Sequence, residues 1–262
     1  MHPQWQPATH PQPLTTDEVH IWRIVLEVSN LLLSHLREIL ADDEQQRAER
    51  FYFEKDRRHF TAARGALRTI LAGYLALRPH GVRFAYSNYG KPRLADEDNE
   101  SDLRFNLTHS HGLALLAVTR GREIGVDVEH LRDMERDGEL LAERFFSPRE
   151  VAVLRSLPPQ LRREAFFHCW TRKEAYIKAN GKGLSLPLDQ FDVSLHPDEP
   201  AALLATPHDP QEAQRWSLRG LFPGEEYVGA LAVEGHSWRL WCGEWVAQAP
   251  HFGTADRRAA LD

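Results

Sequence analysis

Two short stretches of this chain hold the residue types that chemistry on a phosphate needs. Gly125-Val126-Asp127-Val128-Glu129 sets two carboxylates two positions apart in an apolar, strand-like run, so Asp127 and Glu129 share one face. Val126 and Val128 take the other face, and Gly125 lets a ligand or a backbone come close. Farther on, Trp170-Thr171-Arg172-Lys173-Glu174-Ala175-Tyr176-Ile177-Lys178 reads as helix, with Glu174 and Lys178 four apart and on one side of it. On a solvated helix such a pair is an ordinary surface contact. Here Phe166, Phe167, Trp170, Tyr176 and Ile177 crowd the segment, so the helix is mostly buried and its few charges face something specific. Two carboxylates on one face repel, and a cation relieves that cost. Three carboxylates and an ammonium that converge suit a magnesium ion and a phosphate-bearing substrate.

Other polar groups fall before and between these stretches. Phe105-Asn106-Leu107-Thr108-His109-Ser110-His111 offers hydroxyls and imidazole at a strand end, suited to phosphate oxygens. His109 and His111 also alternate as metal ligands do, but no third nitrogen ligand accompanies them. Tyr89-Gly90-Lys91-Pro92-Arg93 is a turn that presents Lys91. Lys55, Arg57, Arg58, Arg64 and Arg68 form a basic stretch, with Arg64 and Arg68 one helical turn apart. Asp42, Asp43, Glu44, Glu49 and Glu54 lie just upstream, so a compact polyphosphate fits this stretch better than a nucleic acid does. Gly181-Lys182-Gly183-Leu184 lacks the spacing of a phosphate-binding P-loop.

The elements that must position these residues change period along the chain. Residues 1–18 are rich in Pro and polar side chains and read as a flexible leader. Val19 to Val28 reads as a strand, Ser34 to Arg50 as a helix, and Phe60 to Leu77 as a stronger helix closed by Arg78-Pro79-His80-Gly81. Short strands follow at 83–86, 103–107, 114–119 and 124–129, with Thr119-Arg120-Gly121-Arg122 as a hairpin turn and an acidic loop at 95–102. Helices return over 140–179, broken at Pro148 and Pro158-Pro159 and stopped by Asn180-Gly181. Strands at 191–195, 216–221, 227–233 and 238–244 surround a Pro-rich loop at 196–210, and a polar tail covers 250–262. Helices then strands, twice over, imply an α+β fold of two similar halves, 19–122 and 123–249.

The bulk properties narrow the class. The chain has 262 residues with 42% hydrophobic and 27% charged side chains, a globular composition. A formal net charge of −6 opposes wholesale nucleic-acid coating. Two cysteines, Cys169 and Cys242, are too few for a disulfide framework or a cysteine zinc site, so a cytoplasmic protein is expected. No apolar run reaches the roughly 18 residues of a membrane span, and the leader has no signal-peptide core.

Taken in order, Tyr89-Gly90-Lys91-Pro92, Phe105-Asn106-Leu107-Thr108-His109-Ser110, Gly125-Val126-Asp127-Val128-Glu129 and the stretch from Phe167 to Leu188 resemble the 4′-phosphopantetheinyl transferases. The likeness is to the larger, surfactin-synthetase-activating class, whose W-x-x-K-E-x-x-x-K signature stands here as Trp170 to Lys178. It spans residues 47–195, and Thr108 replaces a serine common in that class. The resemblance implies a monomer of two α+β halves. It also implies transfer of the 4′-phosphopantetheine arm of coenzyme A to a serine of an apo acyl or peptidyl carrier protein, with release of adenosine 3′,5′-bisphosphate. It implies magnesium at Asp127, Glu129 and Glu174, with Lys178 on a phosphate and Glu174 as base, directly or through a metal-bound water. Lys91, Thr108 and His109 would hold the nucleotide and its 3′-phosphate, with Arg47 and Arg64 as further coenzyme A contacts. A phosphohydrolase using the same carboxylates, and a carrier-binding protein without turnover, are the competing functions.

Overall fold

The computed structural model describes residues 4–87, 89–95, 102–132, 138–181, 183–206, 209 and 211–247. Lys182, positions 96–101 of the acidic loop and the tail at 250–262 lie outside the described residues.

Alternation along the strands builds two sheets that share a buried layer. In β2 (Glu18–Val25), Val19 and Ile21 point one way while His20, Trp22 and Ile24 point the other. In β6 (Leu113–Arg120), Leu113, Leu115 and Ala117 divide from Ala114, Leu116 and Val118 in the same manner. The first set of each strand packs against Ile124, Val126 and Val128 of β7 (Ile124–His130) and Leu231 and Val233 of β11 (Tyr227–Glu234). The second set packs against the long helix α3 (Glu54–Leu75), through Ala63, Ala66, Leu67 and Ile70. A second long helix, α6 (Pro159–Asn180), covers the far side of β11 and β7. The order of layers is helix, sheet, sheet, helix.

The two halves repeat one topology. The first runs β2, α1 (Asn30–Glu38), α2 (Asp42–Glu49), α3, the small pair β3 (Phe84–Tyr86) and β4 (Pro92–Leu94), then β5 (Leu103–Ser110) and β6. The second runs β7, α4 (Gly138–Phe145), α5 (Pro148–Ser156), α6, the small pair β8 (Asp192–Val193) and β9 (Leu203–Ala205), then α7 (Glu212–Arg215), β10 (Trp216–Gly224) and β11. In each the first strand pairs with the last, which pairs with the one before it: β2-β6-β5 and β7-β11-β10, all antiparallel.

Buried charges repeat as well. Glu44 on α2 accepts from Ala41 N at 3.0 Å and takes Arg64 and Arg68 of α3; Arg68 Nη1 also donates to the carbonyls of Pro79 and Val82. Glu150 on α5 accepts from Ser147 N at 2.8 Å and pairs at 2.8 Å with Lys173 of α6, whose Nζ donates to the carbonyls of Leu188 and Phe191. Charges this deep are retained only when every donor and acceptor is met.

Several sequence expectations are corrected. From residue 4 onward the segment expected as a flexible leader is built into the fold: Gln6–Ala8 forms β1, Trp5 Nε1 donates to Phe222 O at 3.1 Å, and Leu14 is buried. The helix expected over 34–50 is two helices, because the chain breaks at Leu40 and Ala41. Thr119 to Arg122 does not close a hairpin; it carries the chain from one sheet to the other, with Gly121 at φ +67°. The tight hairpin is the next one upstream, where His111-Gly112 joins β5 to β6. The last strand, β12 (Arg239–Trp245), leaves the second half and lies parallel between β1 and β2. Among the described residues no helix is long and apolar enough to cross a membrane.

Candidate active site

The carboxylates gather where β5, an edge of the larger sheet, runs beside β7, an edge of the smaller one. The two edges are joined by side chains. Asn106, Thr108 and Ser110 alternate on one face of β5 and reach across in step. Asn106 Oδ1 accepts from Val126 N at 2.9 Å, Thr108 Oγ1 donates to Asp127 Oδ1 at 3.1 Å, and Ser110 Oγ donates to Glu129 Oε2 at 3.0 Å. Thr108 and Ser110, expected to meet phosphate oxygens, orient the carboxylates. Asn106 was not singled out from the sequence, although its i, i+2, i+4 relation to two hydroxyl residues was the available signal.

Helix α6 closes the site from the other side. Gly125 permits this: a Cβ there would fall inside contact distance of Ala175 O and Ala179 N and 2.9 Å from Ala179 Cα, all helix backbone. Backbone cannot swing aside as a side chain can. Gly125→Ala should therefore force β7 and α6 apart and cost about 3 kcal/mol or more. A chemical-denaturation midpoint equal to the parent's would show that strand and helix do not meet this closely.

With the helix so placed, Lys178 Nζ lies 2.5 Å from Asp127 Oδ1 and 3.3 Å from Thr108 Oγ1. Asp127 is buried, and burial raises its carboxyl above the usual range against the pull of Lys178. Glu129 and Glu174 are half-buried and also raised. For Glu129 burial comes first and the charge of Asp127 second; for Glu174 burial comes first, and Asp127 and Glu129 add to it against Lys178. The charge of Asp127 thus reaches Glu129 and Glu174, that of Glu129 reaches Glu174, and Lys178 acts on all three. Asp127 Oδ2 is buried without a hydrogen-bond partner. An orphaned carboxylate oxygen beside two more carboxylates is a donor set of the kind hard divalent cations take. Among the described residues no three side chains already stand at ligand spacing.

The remaining candidates separate. His109 is exposed, and its proton is held less tightly than usual, first through crowding by its neighbours and then through the charges of Lys178 and His59. His111 stacks on His130 with ring centroids 4.3 Å apart. Arg47 is exposed, stands over the Phe60 ring and lines an open cavity of about 590 Å³ with Arg50, Phe51 and Tyr86. Arg64 is corrected: it is buried against Glu44 and beneath Phe84, and its guanidinium is used within the first half.

Lys91 joins the halves. Its Nζ donates to Glu123 Oε2 at 3.3 Å, Ile124 O at 3.2 Å and Ala179 O at 3.4 Å, at the start of β7 and the end of α6. Burial lowers its pKa and Glu123 opposes that. A cavity of about 230 Å³ opens here between Lys91, Pro92, Phe105 and Gly181. The ammonium expected on a phosphate is spent in this structure on holding the wall of a pocket.

Comparison with known proteins places this geometry. The model of the 4′-phosphopantetheinyl transferase superfamily matches residues 123–232, and that of the 4′-phosphopantetheinyl transferase N-terminal domain matches residues 28–120. The chain is 48% identical to the 4′-phosphopantetheinyl transferase HetI of Nostoc sp. over 90% of its own length and 95% of that protein. It is 34% identical to a 4′-phosphopantetheinyl transferase of Bacillus subtilis, covering 64% of this chain and 72% of that one. With the 4′-phosphopantetheinyl transferase Sfp of Bacillus subtilis the identity is 31%, over 65% of this chain and 74% of the other.

Proposed function

Because the chain belongs to the 4′-phosphopantetheinyl transferase superfamily and is an enzyme of that kind, we propose that it moves the 4′-phosphopantetheine arm of coenzyme A onto a serine of an apo acyl or peptidyl carrier protein, releasing adenosine 3′,5′-bisphosphate. The observation that carries this reading is the buried, unpartnered Asp127 Oδ2 in a group of mutually repelling carboxylates, with Lys178 at its edge. We further propose that it acts as a cytoplasmic monomer without nucleic acid.

Asp127, Glu129 and Glu174 are the residues that would hold a magnesium ion, which when bound offsets the charge on the pyrophosphate. Thr108 and Ser110 keep two of those carboxylates aimed at one place. Lys178, freed in part from Asp127, turns to a phosphate oxygen and stabilises the leaving group. Glu174 is the residue that would take the proton of the carrier serine, on a carboxylate oxygen left free of the cation. Thus the P–O bond to the adenosine bisphosphate breaks as the serine oxygen forms its own. Arg47 and His109 meet the nucleotide and its 3′-phosphate, and Lys91 shapes the pocket wall beside them.

The direct test is intact-mass spectrometry of an apo carrier incubated with the enzyme, coenzyme A and magnesium. A gain of one phosphopantetheine arm, lost with a chelator, supports the reading. Consumption of coenzyme A with no gain on several carriers would mean a hydrolase, and no change in either would mean a binding protein. Lys91→Met should raise KM for coenzyme A about 10-fold while kcat stays within about 3-fold, because it loosens a binding wall and leaves the carboxylates alone. An unchanged KM would remove Lys91 from the nucleotide pocket.

A further inference from the structure

The long helices of the two halves correspond, and they differ where a cavity opens. Arg68 of α3 and Lys173 of α6 hold equivalent positions, each on a buried glutamate and two carbonyls. Both helices end eight residues later in a left-handed cap, Ala76 and Gly181. Three and seven residues after Arg68 stand Leu71 and Leu75, packed in the core of the first half. At the same distances after Lys173 stand Tyr176 and Asn180, on the wall of a cavity of about 370 Å³. Polar groups thus gather around open space where the other half is apolar.

The lining of the cavity states what would fit it. Tyr176 meets Phe191 and Trp216 edge on, with ring centroids 5.0 and 5.7 Å apart. Glu212 of α7 is the polar centre: its Oε1 accepts from Trp216 Nε1 at 2.8 Å, Asn180 Nδ2 at 3.3 Å and Tyr176 OH at 3.3 Å. Burial pushes the Tyr176 hydroxyl up to about 12, so it stays a donor. Three neutral donors fix this carboxylate without cancelling its charge. Oε2 has Arg215 Nη1 at 3.7 Å, too far for a hydrogen bond, and that guanidinium is already bound through Nε and Nη2 to Glu234. Arg215 also stands 5.5 Å from the Trp216 ring centroid. Asp209 and Glu123 are the other acids on the wall, and Glu123 pairs with Lys91 at 3.3 Å. Aromatic rings around a fixed carboxylate suit an organic cation, since rings and carboxylate both attract its charge.

This cavity is separate from the active site. Tyr176 and Asn180 each follow Glu174 and Lys178 by two positions, about 200° around the helix. Asn180 and Glu123 also line the smaller cavity beside Lys91, so the two spaces share a wall. We propose that the cavity among Tyr176, Phe191, Glu212 and Trp216 is a second ligand site, for a small organic ammonium that carries an apolar or aromatic group. The ammonium meets Glu212 Oε2 and the apolar part lies against the rings. No step of the transfer passes through this site, so it stands whether or not the transferase reading does.

The experiment is calorimetric titration of the full chain with phenethylammonium, beside 2-phenylethanol and phenylacetate as its neutral and anionic matches. The ammonium should bind at least ~10-fold more tightly than the alcohol, and phenylacetate should not bind. Glu212→Gln keeps an oxygen for Trp216 Nε1 and should weaken the ammonium at least ~10-fold. In the parent, the Trp216 indole N–H resonance should shift as the ammonium is added, a readout that needs no change at the site. Absent binding of the ammonium, equal affinity for the alcohol, parent-like affinity in Glu212→Gln or an unmoved Trp216 resonance each overturns the proposal. So does a KM for coenzyme A that climbs without limit as the ammonium is added, because the probe would then occupy the nucleotide pocket. A KM that stays constant or levels off supports a separate site.

Discussion

Asp127→Asn should reduce transfer by about 10³-fold or more and leave the fold standing. The amide keeps the shape of the side chain and an oxygen for Thr108 Oγ1, now 3.1 Å away. What it removes is the charge on an unpartnered buried oxygen at the centre of the carboxylate group. Losing a cation ligand forfeits several kcal/mol of charge stabilisation in the transition state, and about 4 kcal/mol corresponds to 10³ in rate. Stability should change little, since burial already acts against the ionised form of Asp127 and Lys178 keeps access to solvent. Transfer within 10-fold of the parent would sink the assignment of Asp127 to the metal.

The largest effect on stability is expected from Lys173→Met. Lys173 is fully buried, and its loss leaves Glu150, itself 2% exposed, without a counter-charge. Breaking one side of a buried pair typically costs about 3–5 kcal/mol. For a chain of this size that is roughly a 10 °C fall in Tm. Adding Glu150→Gln should recover part of the loss, because it removes the unpaired buried charge, and its single amide oxygen can still accept from one of the two donors, Ser147 N or Val193 N. Lys173→Arg should be milder than Lys173→Met. The first half already places an arginine, Arg68, in the same relation to a buried glutamate and two turn carbonyls. A midpoint for Lys173→Met within about 1 kcal/mol of the parent would show that the pair contributes nothing.

How far the sequence could be read depended on whether a residue's partner was local. Asp127 with Glu129, and Glu174 with Lys178, announce their faces through periods of two and four, so both pairs were legible. The breaks at Pro148 and Pro158-Pro159 and the stop at Gly181 were legible too, since Pro and Gly restrict or free the backbone wherever they stand. Arg64 was misread because its partner Glu44 lies 20 residues away on another helix. Glu44 had been noted only as part of a run of acids. Lys91 was misread in part for the same reason: two of its three acceptors are backbone carbonyls, which no side-chain pattern reveals. The turn after Thr119 looks the same whether the chain stays in its sheet or leaves it. Strand β1 has three residues, too few to show a period, and its pairing partner comes near the other end of the chain.

That last arrangement bears on how the protein is made. Arg23 and Glu244, neighbours across β2 and β12, are 221 residues apart in the chain. At ~5–20 residues per second, a ribosome needs roughly 10–45 s to deliver the one after the other. For that interval β2 has an unpaired edge facing the cell. Trp241 is also missing from the ring contact it will make with Trp22 at 4.9 Å. A bare strand edge invites pairing with other chains. The nascent protein therefore depends on β12 to protect its first sheet, and chaperone capture should be most frequent before residue 245 emerges.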